Sequence, residues 1–152
     1  MKVIWDRTKP FLTVGAEVLG CSCRVRNEEN RLRKASEIVY SMPDGLPYQP
    51  RQFPIGSWTI LKPRPKYEDW LKPWFIPTTA WQKLPVWKLK SGLYSEATDQ
   101  MVTDSGYGIH WSETSLSTWG CIRMNSRDEI ERLVALVTEA RQNEEEVLLE
   151  VF

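Results

Sequence analysis

One stretch of this chain has the hydrophobic period of an α-helix, and it lies near the C-terminal end. Apolar residues recur there at intervals of three and four, at Ile130, Leu133, Val134 and Val137. Asn125 or Ser126 can cap the first turn, and Ser126 with Glu129 has the spacing of a capping box. The pattern therefore predicts an amphipathic helix that ends near Gln142 and Asn143.

Elsewhere the chain alternates between short apolar runs and proline-rich segments, which is typical of strands and loops. The predicted strands are Met1–Trp5, Phe11–Cys23 with a bend or bulge marked by Val14-Gly15 and Gly20, Glu37–Tyr40, Ile55–Leu61, Tyr107–Trp111 and Val147–Phe152. The last of these has apolar residues on both faces, so we expect it to be substantially buried. Met42–Pro54 is predicted to be a loop, and Lys62–Pro85 a long insertion near one end of the sheet.

These elements predict one domain over residues 1–152 that is mainly β with one α-helix, arranged as a curved mixed β-sandwich. A chain of 152 residues can bury roughly 70% of its unfolded surface without disulfides. Twenty basic residues balance twenty acidic ones, whereas a nucleic-acid-binding protein usually carries a basic surplus. No apolar run reaches the roughly 18 residues that a membrane span requires. We therefore expect no nucleic-acid partner and no membrane span.

The residues that can carry chemistry are concentrated between positions 108 and 124. His110 is the only histidine, and Cys121 follows it closely. A free thiol, with a pKa of about 8.5, is mostly protonated at neutral pH, and an imidazole is its usual activating base. Gly120 tolerates positive φ and lets a carbonyl group approach main-chain N–H donors. Arg123 offers a charged fork that can bind a carboxylate. The pattern favours an acyl substrate that carries an acid group.

This region resembles the signature of the L,D-transpeptidase catalytic domain, in which a histidine precedes a Ser/Thr-x-Gly-Cys-Ile-Arg run. The matching residues are His110, Thr118, Gly120, Cys121, Ile122 and Arg123. A looser match covers residues 53–60, which are similar to the family's Thr-Pro-x-Gly-x-Tyr/Phe-x-Ile strand entry. Trp119 stands where many members carry a second histidine, and only ten residues separate His110 from Cys121. The short loop looks like the branch of the family found in phage and secreted-effector proteins.

The resemblance implies a mechanism and a site. Cys121 would be the nucleophile and His110 its base, with the main chain at Gly120 and Trp119 holding the oxyanion. A carbonyl of Ser117 or Thr118 would orient His110. Residues expected to contact the substrate are Arg123, Trp111 and Tyr107. The partner implied is a peptidoglycan stem peptide, and no cofactor or metal is required. An acceptor amine would make the enzyme a transpeptidase, and water would make it an L,D-carboxypeptidase or endopeptidase.

Each assignment also has a purely structural interpretation. His110 can be a core histidine, and Cys121 can be an inert buried thiol. Arg123 can pair with a local acid, Asp128 or Glu129. In that case the chain would be a non-catalytic peptidoglycan-binding or virion structural module that retains the fold.

Cys21 and Cys23 raise a further alternative. Three cysteines and one histidine are the ligands of a Cys₃His zinc site, but Cys-x-Cys is tighter than the pairs that zinc sites usually employ. A disulfide between residues two apart on a strand would be strained, because their α-carbons lie near the upper limit of about 7 Å. We expect Cys21 and Cys23 to be free thiols.

The first ten residues bear on localisation. They include Asp6, Arg7, Lys9 and Pro10 and lack the apolar segment of a signal peptide. Because peptidoglycan lies outside the cytoplasm, we expect the protein to act at the cell wall or in the periplasm after delivery by another route.

Overall fold

A computed structural model of the protein describes residues 1–23, 40–41, 53–66, 73–85, 88–89, 101–113 and 120–152. Its helix is α1 (Arg127–Gln142). Its strands are β1 (Lys2–Trp5), β2 (Phe11–Val14), β3 (Glu17–Ser22), β4 (Tyr40–Ser41), β5 (Gly56–Thr59), β6 (Arg64–Pro65), β7 (Trp74–Pro77), β8 (Trp81–Pro85), β9 (Lys88–Leu89), β10 (Met101–Ser105), β11 (Gly108–His110), β12 (Ile122–Met124) and β13 (Leu148–Val151). The protein is mainly β with one helix, which confirms the predicted class.

Nine of the strands form one sheet, in the order β5-β13-β1-β2-β3-β12-β11-β7-β6. This sheet curls into an open half-barrel. The β1/β13 and β11/β12 pairs are parallel and the other pairs are antiparallel, so the sheet is mixed, as expected. Two small sheets, β8 with β10 and β4 with β9, accompany it.

The N-terminal strands correct one prediction. Phe11–Cys23 was expected to be a single bent strand, but the chain reverses between β2 and β3 to form a hairpin. Gly15 makes this turn with a φ of 59°, a left-handed conformation that glycine adopts without steric cost. A turn and a bend both favour glycine, so the local sequence alone did not distinguish them.

The region 62–85 corrects a second prediction. It was expected to be a long insertion near one end of the sheet; its described residues do lie at one end, but they form two strands of the sheet itself, β6 and β7. Pro65 lies in β6, the outermost strand, where the missing N–H of proline breaks no ladder hydrogen bond. The prolines therefore mark a sheet edge here. Residues 67–72 lie outside the described part of the chain.

The predicted helix is confirmed at both ends. The Ser126 side chain accepts a hydrogen bond from the Glu129 N–H at 3.2 Å, and Asn143 is the C-cap. Its buried face packs against β7 and β12 and consists of Ile130, Leu133, Val134, Val137 and Ala140. The helix thus covers one face of β7 and β12.

The last strand, β13, lies inside the sheet between β1 and β5. Val147, Leu149 and Val151 are buried, as the alternation predicts. The expectation that both faces are buried holds only in part, because Phe152 is 62% exposed. Within the described residues, no helix combines the length and apolarity needed to cross a membrane.

Candidate active site

The candidate base lies on β11, and the candidate nucleophile immediately precedes the adjacent parallel strand β12. Ile109 of β11 pairs with Ile122 of β12, and His110 pairs with Arg123. Extending this register by one residue sets Cys121 opposite Gly108. Paired residues share a face of a sheet, as do residues two apart on one strand. His110 and Cys121 therefore lie on the same face, as diagonal neighbours.

The separation of diagonal neighbours is short enough for the side chains of His110 and Cys121 to meet. Diagonal neighbours on adjacent strands have their β-carbons roughly 7–8 Å apart, which long or aromatic side chains can span. Both His110 and Cys121 are half-buried. Ile109 and Ile122 point the other way and are fully buried in the core beneath α1. Side chains alternate between the two faces of the sheet along β11 and β12. Ile109 and Ile122 lie on the packing face, whereas His110 and Cys121 lie on the opposite face, which we call the candidate chemical face.

The main chain of β11 contacts the sulfur directly. The Gly108 N–H donates a hydrogen bond to Cys121 Sγ, with N and S 3.4 Å apart. This contact fixes the Cys121 sulfur against the main chain of β11. Sequence analysis did not assign this role to Gly108, because the contact depends on strand pairing rather than on local sequence.

Phe75 is a second contributor that the sequence did not reveal. It pairs with His110 across β7 and β11, and the two rings stack with centroids 6.3 Å apart and planes 27° apart. A β-carbon on Gly108 would lie 2.4 Å from Phe75 Cζ, so the ring occupies the space above this glycine. Phe75 falls in the region predicted to be an insertion, and no local sequence pattern links it to His110. It screens one side of the imidazole from water.

The residue before the nucleophile has the backbone conformation that the sequence suggested. Gly120 is buried and has a φ of 110°, where any other residue would be strained. Its carbonyl accepts a hydrogen bond from the Cys23 thiol at 3.3 Å. Cys23 therefore ties the end of β3 to the chain that leads into Cys121.

Arg123 is buried, with only 6% of its surface exposed. Its Nη2 donates to the Ser112 carbonyl at 2.8 Å and its Nη1 to the Met124 carbonyl at 3.3 Å. These bonds tie the chain after β11 to β12, the two strands that carry the candidate base and nucleophile. The contact between Arg123 and substrate stays a prediction.

The other predicted site residues lie in three environments. Tyr107 is buried on the core face, where its ring meets Phe53 edge-on at 5.6 Å and its hydroxyl accepts a hydrogen bond from Gln82. Trp111 is partly buried and packs against the core. Ser117, Thr118 and Trp119 lie outside the described residues.

The remaining cysteine, Cys21, is chemically different. All three cysteines are free thiols. Cys21 is fully buried, and burial raises its pKa to about 12, with the Glu129 carboxylate and Cys23 acting in the same direction. Its thiol therefore stays protonated at neutral pH and is a poor nucleophile or metal ligand. The described residues contain no group of three or more histidines, cysteines or acids that could hold a metal ion.

Comparisons of the chain with protein-family models, with curated proteins and with solved structures give no match. The case for a function therefore rests on the residues and their geometry.

Proposed function

We propose that this protein catalyses cysteine-dependent acyl transfer on peptidoglycan stem peptides, within the fold of an L,D-transpeptidase catalytic domain. The observation that carries the proposal is the parallel register of β11 and β12. It brings the only histidine and a half-buried cysteine to one face of the sheet, with a main-chain N–H on the sulfur. The motif residues from His110 to Arg123 supply the substrate class by resemblance.

The reaction begins with proton transfer from Cys121 to His110. The thiolate attacks an amide carbonyl of the stem peptide, and main-chain donors near Gly120 stabilise the oxyanion. The carbon–nitrogen bond then breaks, the leaving amine takes the proton from His110, and a thioester remains on Cys121. By resemblance, the leaving group is a terminal D-amino acid. An acceptor amine or water attacks the thioester and restores the thiol.

Several contacts support this chemistry. Phe75 stacks on His110 and supports one face of the imidazole from the neighbouring strand β7. Arg123 fixes the relative position of the two reactive strands through Ser112. Gly108 donates a hydrogen bond to the sulfur, and its lack of a side chain makes room for the Phe75 ring that stacks on His110.

The test is incubation with a purified disaccharide-tetrapeptide, followed by mass spectrometry of the products. A cross-linked dimer identifies transfer to an amine, and a disaccharide-tripeptide identifies hydrolysis. Cys121→Ser should give neither product, whereas Cys21→Ala, which removes the thiol of the neighbouring strand, should retain the wild-type product. No product from the folded wild-type protein, together with an unreactive Cys121, would favour the peptidoglycan-binding or virion structural module.

The site of action proposed is the cell wall or periplasm, reached as a phage or secreted effector protein. This follows from the substrate class and from the resemblance of the short loop between His110 and Cys121 to the phage and secreted-effector branch of the family. Fractionation of producing cells and of the target envelope, with an antibody against this chain, tests the localisation separately from activity.

A further inference from the structure

We propose that Arg64 and Lys66 form an anion subsite that binds a carboxylate of the acyl substrate on the same face as His110. This inference rests on the proposed function and extends it to substrate recognition. Arg64 lies on β6 and pairs with Phe75 of β7, which in turn pairs with His110 of β11. Paired residues share a face, and so do residues two apart, so both cations lie on the candidate chemical face.

The two cations converge on one aromatic ring. The guanidinium carbon of Arg64 lies 5.3 Å from the centroid of Phe75, and Nζ of Lys66 lies 5.4 Å from it. Each contact is a cation–π interaction, but two positive charges on one ring repel each other. An anion bound between them would relieve this repulsion.

Nothing in the described part of the chain supplies that anion. Arg127 and Arg132 each have a carboxylate partner, Glu131 at 3.0 Å and Glu17 at 2.6 Å. Among the described residues, Arg64 and Lys66 have no such carboxylate partner. Both are exposed. The pair is thus available to a ligand, unlike Arg127 and Arg132, whose guanidinium groups are engaged by carboxylates.

The space beside the pair has the size of a ligand group. Arg64, Pro65, Lys66 and Phe75 line a cleft of about 300 Å³. This volume is at the lower end of the range for small-molecule sites. It suits one acidic residue of a peptide rather than a whole substrate. Arg123, by contrast, is buried and bonded to main-chain carbonyls, so the exposed pair is better placed to meet a carboxylate.

The strand order sets the distance between this subsite and the nucleophile. Three strand spacings separate β6 from β12, which amounts to roughly 15 Å on a flat sheet and less on a curled one. The ligand class is therefore an acidic peptide whose carboxylate lies roughly 10–15 Å from the attacked carbonyl, about three to four extended residues away.

Binding of the disaccharide-tetrapeptide is the test, measured by calorimetry in a Cys121→Ala background so that no turnover occurs. Arg64→Gln combined with Lys66→Gln should raise Kd about tenfold at low salt. Lys2→Gln combined with Lys9→Gln removes the same charge at the far side of the sheet and should leave Kd unchanged. The exchanged pair, Arg64→Lys with Lys66→Arg, keeps both charges and should remain within about threefold of the parent.

A tetrapeptide with amidated carboxylates shows whether the variant has lost a contact with a carboxylate or has lost peptide binding in general. It should bind the parent and the Arg64→Gln/Lys66→Gln protein with similar Kd values. Equal Kd values of the unmodified peptide for Arg64→Gln/Lys66→Gln and for Lys2→Gln/Lys9→Gln would contradict the subsite. The proposed function would still hold in that case if the wild-type enzyme forms products. If the peptide binds none of the proteins, both the substrate and the subsite are wrong.

Discussion

Cys21 lies on β3 and Cys121 immediately precedes the neighbouring strand β12, yet the two thiols have different surroundings. Cys21, on β3, is fully buried, and burial raises its pKa to about 12. Cys121, just before β12, is half-buried and accepts an N–H hydrogen bond from Gly108. The first thiol faces the core under α1, and the second faces the side that carries His110. Position relative to the two faces, rather than residue type, separates a packing thiol from a candidate nucleophile.

The largest expected effect is the loss of activity in Cys121→Ala. Removal of a nucleophile should reduce turnover of the disaccharide-tetrapeptide by at least about 1000-fold, with an unfolding free energy within about 1 kcal/mol of wild type. Cys21→Ala should show the reverse pattern, with activity retained and the unfolding free energy lowered by about 1–2 kcal/mol. Turnover and urea unfolding of both variants check the comparison. The contrast between the two thiols would be wrong if Cys121→Ala unfolds the protein or if Cys21→Ala abolishes turnover.

Gly108→Ala should damage both stability and activity. The new β-carbon would lie 2.4 Å from Phe75 Cζ and 2.7 Å from the Ile76 carbonyl oxygen. Because one of these contacts is main chain, rotation of Phe75 cannot relieve both. We expect a loss of about 1–3 kcal/mol in unfolding free energy, measured by urea denaturation.

The double variant Gly108→Ala/Phe75→Ala provides the control. It removes the ring contact but leaves the carbonyl contact, so the penalty of the alanine at 108 should shrink without disappearing when measured against Phe75→Ala alone. An unchanged penalty would show that Phe75 does not fill the space above Gly108.

Several of these features could be predicted from sequence, because their signals are local. The period of α1, its Ser126 cap and the short strands all follow from the spacing of residues a few positions apart. Phe75 and His110, which pair across β7 and β11, are 35 positions apart in the chain, and β6 joins the site only through its pairing with β7, so neither leaves such a signal. The sequence therefore predicted His110 and Cys121 but missed Phe75, Arg64 and Lys66.

The raised pKa of Cys21 predicts a loss of stability in alkaline solution. An unfolded cysteine titrates near 9, and native Cys21 near 12, so the native state binds more protons between these values. The contribution of the protonated Cys21 thiol to the unfolding free energy is complete below about pH 9 and is lost progressively as the pH rises to about 12. Between pH 9 and 11, the unfolding free energy of wild type should fall more steeply than that of Cys21→Ala, as measured by urea denaturation. Parallel slopes would contradict the raised pKa.

The smallest effect concerns Cys23, whose thiol donates to the Gly120 carbonyl. A thiol is a weak donor, so Cys23→Ala should cost about 1 kcal/mol or less, and Cys23→Ser, which keeps a donor, should cost less still. Thermal unfolding of the two variants provides the measurement. A large loss of stability in Cys23→Ala that Cys23→Ser fails to restore would show that packing, not the hydrogen bond, holds this loop.

The central claim is that His110 activates Cys121 across the β11/β12 pair. The most direct measurement is the rate of Cys121 alkylation by iodoacetamide at pH 7, followed by peptide mass spectrometry in wild type and His110→Gln. We predict that wild-type Cys121 reacts faster than the same cysteine in the denatured chain and that His110→Gln slows it about tenfold or more. Equal rates in the two folded proteins would contradict the account.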